Sequence, residues 1–183
     1  MAEKYKIRNP GSAYFITFAT VEWIDVFTRP CYKQIVVESL NHAIQNKGLI
    51  VHAWVIMSNH LHLAVASDKV PLQDILRDFK KYTAKAIVRE IRENPKESRR
   101  EWLLRHFEHA GQLNKHNTYI QFWQQELHAI ELYEEKQIAN IIHYIHENPV
   151  RAGFVNEAHH YPHSSAVDYA GEKGLVRNIV PVL

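Results

Sequence analysis

The stretch from Val51 to Val65, VHAWVIMSNHLHLAV, constrains the fold more than any other part of the chain. It is apolar almost throughout, and the Ser58-Asn59 pair breaks it into two runs of strand length joined by a turn. The expected strands cover 49–57 and 60–66. Side chains two apart on a strand share a face, so Leu61, Leu63 and Val65 form a core face. His60 and His62 share the opposite face, which Ala64 and Ala66 continue with small side chains. A core strand needs no histidines, and a polar pair beside a turn with a shallow surface beyond it is a reasonable floor for a site. Two imidazoles at this spacing can chelate one divalent cation. They can equally be two half-exposed strand histidines without a ligand, and two ligands alone leave a metal site incomplete.

The flanking segments define an α+β chain. SAYFITFATV, 12–21, is rich in aromatic and β-branched residues and reads as a strand. In the next segment Ile35, Val36, Leu40, Ala43 and Ile44 recur at helical spacing, and Gly48 supplies a stop. A long helix is expected from Pro71 to about Glu93, with proline at its first position. Residues 94–118 are polar and basic around a short apolar island, WLLRHF, and are expected to form a loop or a variable insertion. A strand is expected over 118–132, a helix from 134 stopped by Pro149, and a loop-like tail from 151. The order strand, helix, strand pair, helix, strand, helix predicts a ferredoxin-like (RRM-like) antiparallel sheet with helices packed on it. At 183 residues a single domain spanning 1–183 is expected.

Two helices carry candidate functional groups. In NIIHYIHENPVRAG, 140–153, the residues Ile138, Ile141, Ile142 and Ile145 form the stripe that packs on the sheet. Tyr144 flanks that stripe, and Asn148 follows one turn later on the same face. Because Pro149 disfavours helix at the residue before it, Asn148 is expected at a frayed end with its amide turned outward. A tyrosine at the rim of a core beside an amide is also a common structural arrangement, with a buried ring and a wet hydroxyl. On the long helix, Arg77, Lys80, Lys81 and Lys85 form a basic stripe suited either to phosphates or to plain solvation. Arg99, Arg100, Arg105 and Lys115 are further basic candidates, and Trp102, Tyr119, Phe122 and Trp123 are candidates for base stacking, although a tryptophan in a strand is more often core. The formal net charge of +2 is compatible with nucleic acid without requiring it.

Taken together, MSNHLHL and the distant YIHENPVRAGFV resemble the HUH single-tyrosine transposases. The similarity is greatest to the REP-associated tyrosine transposases, relatives of insertion-sequence enzymes that move as single strands. The segments YFITFAT, FKKYTAKAI, FWQQELHAIEL and YPHSSAVDYAG fit the same pattern; Ser58 departs from it, standing where the family usually has proline. The resemblance implies that Tyr144 is the nucleophile, that His60 and His62 bind Mg²⁺ or Mn²⁺, and that Asn148 supplies a third, side-chain amide ligand. It implies a single-stranded, hairpin-bearing DNA partner, REP-like or from a transposon end, and a monomer or homodimer.

The chemistry suits these residue types. A phenol ionises near about pH 10 and is a poor nucleophile at neutrality. It becomes adequate when its target phosphodiester is polarised by a cation. Attack stores the phosphodiester as a phosphotyrosine bond, so a second strand can be joined without ATP; by resemblance the link is to the 5′ end. Three other readings remain open. One is a replication-initiator-like nickase that uses Tyr82, since YTAK puts Lys85 on its helical face. The second is a domesticated hairpin-binding protein without turnover. The third is an unrelated metal hydrolase with an acidic ligand such as Glu126 or Glu147. No run of about 18 apolar residues suggests a membrane span, no signal peptide is recognised, and the lone Cys31 fits a reducing compartment, so the expected location is the cytoplasm.

Overall fold

The computed structural model describes residues 7, 9, 11–114, 119–125 and 127–182. Its centre is a four-stranded antiparallel sheet of β1 (Ala13–Ala19), β2 (Leu49–Ile56), β3 (His60–Ser67) and β4 (His128–Leu132) in the spatial order β2-β3-β1-β4. That is the ferredoxin-like order expected from the sequence. Helix α1 (Pro30–Lys47) links β1 to β2, and α2 (Leu72–Glu93) follows β3. Both pack on one face of the sheet, where Tyr14, Ile16 and Phe18 of β1 meet Leu61, Leu63 and Val65 of β3 and Val36, Leu40, Ile75 and Phe79 of the helices. Gly48 ends α1 with φ 71°, a conformation that costs glycine little, and the Asp68 carboxylate occupies the space a Cβ there would need.

The opposite face is covered by α4 (Glu135–Arg151), whose Ile142 and Ile145 are buried against Phe15, Ala53, Val55 and Ala64, with Ile138 and Ile141 packed at the margin. The sheet is therefore apolar on both sides, which explains why the segment around β2 and β3 reads as a nearly continuous apolar run. No helix among the described residues is long and apolar enough to cross a membrane.

Four local expectations are corrected. The polar segment expected as a loop contains α3 (Arg100–Leu113), anchored by the fully buried Leu103 and Phe107. Two well-placed apolar residues suffice to dock a helix whose other faces are charged. The strand expected over 118–132 is ordered as β4 only from His128, while Trp123 makes an isolated bridge with Thr20. Pro149 does not stop α4, which continues to Arg151. Proline near the C-terminus removes only one of the last helical bonds, and the end is closed instead by Phe154 N–H on the Pro149 carbonyl and Gly153 N–H on the Val150 carbonyl, with Gly153 at φ 73°. The tail is not wholly irregular: Ser164 bridges Val55 at the β2 edge, and α5 (Ala166–Tyr169) follows.

A buried ionic cluster fixes the start of the α3 segment. The Glu97 side chain is 0% exposed and accepts from Arg29 Nε at 2.8 Å and Arg99 Nε at 3.2 Å. It also accepts from Tyr32 Oη at 2.8 Å and the Arg99 backbone N–H at 3.0 Å. Burial alone would push this carboxyl up, but the bonds from Arg99, Tyr32 and Arg29 outweigh it and hold it at about 2. Arg99 also donates to the Asp25 carbonyl and the Thr28 hydroxyl, tying this cluster to the segment that follows β1.

Candidate active site

His60 and His62 lie on β3 facing α4, with ring centroids 4.7 Å apart. Strand register sets what stands beside them: Thr17 of β1 is opposite His62, and Ala19 is opposite His60. The Thr17 hydroxyl lies 2.8 Å from His62 Nδ1, so it can accept that N–H and leave the Nε2 lone pair free. For His60 the partner is the Asn59 side-chain oxygen, 2.7 Å from Nδ1. The orientation of that amide is set independently, because Asn59 Nδ2 donates to the Trp23 carbonyl at 3.0 Å. With an oxygen facing it, His60 Nδ1 carries the proton, and Nε2 is again left to accept or ligate. Burial lowers the pKa of both rings, His62 to about 3 with the neighbouring His60 as a second cause. Both are therefore neutral at physiological pH, the form that binds metals.

Tyr144 reaches this pair from α4. Its ring is 5.4 Å from the His62 ring and 5.9 Å from that of Phe15, which it meets edge-on. The isoleucine stripe of α4 sets this position by fixing the rotation of the helix on the sheet. The Arg151 guanidinium, two turns on, lies 5.7 Å over the Tyr144 ring. Asn148 does not turn outward from a frayed end as expected: it is within the helix, and its Nδ2 donates to the Tyr144 carbonyl at 2.7 Å. The amide nitrogen is thereby committed to the backbone, and the oxygen is the atom left for a ligand role.

On the other side of His60 the chain leaves β1 through a 3-10 turn, Val21–Trp23. Glu22 and Trp23 both have positive φ, 54° and 55°. Left-handed backbone at residues with a Cβ costs about 1–3 kcal/mol each, and such strain gathers at working sites. Side-chain bonds help to hold the turn: Asn59 Nδ2 on the Trp23 carbonyl, Thr20 Oγ1 on the Ile24 carbonyl, and the Glu22 carboxylate with His106 Nδ1 of α3. The Trp23 ring stands 5.6 Å from that of His60.

The other sequence candidates are elsewhere. Arg77, Lys80, Lys81 and Lys85 are on α2, in the layer across the sheet from α4. Arg77 is paired with Asp74 and Asp78. Lys80 donates to the Gln124 carbonyl and lies over the Phe18 ring, and burial lowers it to about 8. Lys81 and Lys85 are exposed. Tyr82 is 60% exposed and borders a groove of about 450 Å³ between α1 and α2 with Glu38, His42 and Phe79. Phe122 and Trp123 are core residues, Trp123 donating to Thr83, whereas Tyr119 and Trp102 are open to solvent. Lys115 and Glu126 lie outside the described residues. Among the described residues no third His, Cys, Asp or Glu completes a cluster with His60 and His62, Glu147 included. Glu157, His159 and His160 form a separate group whose ligand atoms lie within 4.8 Å of one another. Thr17, Asn59, Trp23 and Arg151 were not marked as site residues by sequence reasoning. The first two could have been sought as partners for a histidine pair, one a strand away and one beside it in sequence.

A family model described as "Transposase IS200 like" matches residues 11–108, more than half of the chain. That stretch includes His60 and His62 and ends before Tyr144. The fold matches a solved structure described as a REP-associated tyrosine transposase bound to a REP hairpin, at TM-score 0.65 and 17% identity, covering 97% of this chain and 92% of that one. A putative transposase from Deinococcus radiodurans R1 matches at 19% identity over 78% of this chain and 95% of its own, with TM-score 0.44. No curated protein sequence matches.

Proposed function

The chain belongs to the IS200-like transposase family, and we propose that it cleaves and rejoins single-stranded, hairpin-bearing DNA with Tyr144 as the nucleophile. The observation that carries this reading is the juxtaposition of a tyrosine from α4 with a pair of neutral histidines on β3, with rings 5.4 Å apart at His62. His60, His62 and the Asn148 oxygen would hold Mg²⁺ or Mn²⁺. The donor set fits: two neutral imidazoles whose Nδ1 atoms are already occupied, and an amide oxygen of the kind hard cations take. A bound cation would polarise the scissile phosphodiester and offset the charge of its transition state.

The residues divide the work as follows. The Tyr144 oxygen attacks phosphorus, the bond from phosphorus to the 3′ oxygen breaks, and that oxygen leaves as a hydroxyl carrying a proton while the phenolic proton passes to solvent. The product is a 5′-phosphotyrosine. In the reverse step a 3′-hydroxyl from another strand attacks the same phosphorus, and the tyrosine is released, so the number of phosphodiester bonds is conserved. Arg151, already over the Tyr144 ring, would contact the phosphate, and the exposed Lys81 and Lys85 would hold the backbone of DNA passing around the sheet edge. The fold match was solved on a REP hairpin, which supports a hairpin of that kind as the partner. The reading takes residues 1–183 as one transposase domain acting in the cytoplasm as a monomer or homodimer, with 94–118 as an insertion.

The test is a denaturing gel with a hairpin oligonucleotide labelled at its 3′ end, because the fragment retained by the protein is the one joined to it through its 5′ phosphate, and that fragment keeps the original 3′ end. Wild type and Tyr82→Phe should give a labelled protein adduct in Mn²⁺, and Tyr144→Phe should give none. An adduct with Tyr144→Phe would refute the assignment.

A further inference from the structure

We propose that Trp23 is a stacking platform for an unpaired nucleobase of the DNA strand that enters the His60–His62 site. The inference rests on the functional reading above. Trp23 is 53% exposed, so a large apolar ring has been kept out of a core that holds Trp54 and Trp123 at 0% and 4%. Its position is imposed on the chain. The two consecutive left-handed residues at Glu22 and Trp23 are sterically disfavoured, neither is glycine or asparagine, and the turn is nonetheless clamped at three points. One clamp is Asn59, whose amide oxygen holds His60 while its nitrogen holds the Trp23 carbonyl. A single side chain thus sets the relative position of the candidate ligand and the indole.

The distances suit one nucleotide. The indole centroid is 5.6 Å from the His60 ring, and a phosphate near the His60 and His62 Nε2 atoms would have its neighbouring base within reach of that indole. Any base presents a π face, so such a platform tolerates sequence while requiring that the base be unpaired. A duplex keeps its bases in the stack and offers none. The second exposed aromatic of this region, Trp102, packs against His106, the residue that clamps Glu22, with ring centroids 4.5 Å apart and planes tilted by 55°, and extends the same surface along α3. Trp23 would therefore contribute the preference for single strands at the cleavage position, a role that neither the histidines nor Tyr144 can supply.

The test uses intrinsic fluorescence in a Trp102→Phe, Tyr144→Phe background without metal, where Trp23 is the one exposed indole, since Trp54 and Trp123 are buried. Two probes of equal length and charge are titrated: a 12-mer of thymidylate and a 12-mer of abasic deoxyribose phosphate. Thymidylate should quench the Trp23 emission and bind roughly 5- to 100-fold more tightly than the abasic strand, the range expected for one stacked base. Trp23→Ala should reduce that preference towards unity, and Trp23→Phe should retain most of it; thermal melts should show both variants folded, because the ring lies outside the core. Equal binding of the two probes with unchanged emission would overturn the proposal while leaving the DNA reading intact. Binding of neither by a protein that still binds a hairpin-bearing strand would overturn the proposal alone, and failure to bind that strand as well would overturn both. An undiminished preference in Trp23→Ala would place the stacked base elsewhere and overturn the proposal alone.

Discussion

Replacing Glu97 with glutamine should destabilise the protein by an amount that depends on pH in a calculable way. The carboxyl is held at about 2 in the fold against about 4.5 when free. A difference of about 2.5 pK units at about 1.36 kcal/mol each gives roughly 3 kcal/mol of stabilisation at neutral pH. The sign follows from the direction of the shift. A depressed acid stabilises the fold fully above its unfolded value, about 4.5, and the contribution is lost as pH falls through the folded value near 2. For a chain of this size roughly 3 kcal/mol corresponds to a melting temperature lower by about 6–12 °C at pH 7. Less than half of the energy difference should remain at pH 3. Arg29 and Arg99 are about a third exposed, so water can take over part of their solvation and the loss stays at this level rather than that of a fully stranded buried charge. Calorimetric melts of both proteins at pH 7 and pH 3 measure it. A Tm within 1 °C of wild type at pH 7, or a deficit that does not shrink in acid, would refute the electrostatic account of this cluster.

Removing the groups behind the histidines should weaken metal binding without touching a ligand. Thr17→Val and Asn59→Leu should each raise the Mn²⁺ dissociation constant roughly 10- to 100-fold by calorimetric titration, while Asn59→Asp, which keeps an acceptor toward His60, should stay closer to wild type; an unchanged constant in both loss variants would mean that the His60 and His62 tautomers are not set by these contacts. Binding of single-stranded DNA should weaken linearly with log salt, and the Lys81→Ala, Lys85→Ala double variant should lower the slope by roughly 1.4, about 0.7 per lost phosphate contact. An unchanged slope would reduce both lysines to a solvated helix face.

The sheet and the helix stripes were legible because each rests on a composition or a periodicity, aromatic and β-branched residues in β1, apolar runs in β2 and β3, and isoleucines every third or fourth residue in α4, and the order of these elements pointed to the ferredoxin-like arrangement. Helix α3 was not legible, because its buried residues, Leu103, Phe107 and Gly111, are few, one of them is a glycine, and the rest of the segment is polar and charged. The helical Pro149 was missed because its tolerance depends on the Gly153 and Phe154 bonds that close the helix end. The histidine pair and Tyr144 were readable as candidates, but Thr17 becomes visible only when strand register sets it opposite His62. Trp23 was invisible for a stronger reason: nothing in VEW announces two left-handed residues, since the conformation is imposed by partners as distant as His106. Of the basic stripe, Arg77 is paired with Asp74 and Asp78 on the same helix and Lys80 donates to a backbone carbonyl, pairings that the run of basic residues does not reveal, while Lys81 and Lys85 stay exposed.

The central claim is that Tyr144 becomes covalently joined to DNA, and one measurement addresses it directly. Wild-type protein is incubated with a hairpin-bearing single strand and Mn²⁺, the DNA is digested with nuclease, and the protein is cut with trypsin. Cleavage after Lys136 and Arg151 isolates a peptide in which Tyr144 is the sole tyrosine. The account predicts that this peptide carries a nucleotide attached through its 5′ phosphate, with fragmentation placing it on Tyr144. A nucleotide on the Tyr82 peptide, or on any other tyrosine, would contradict it.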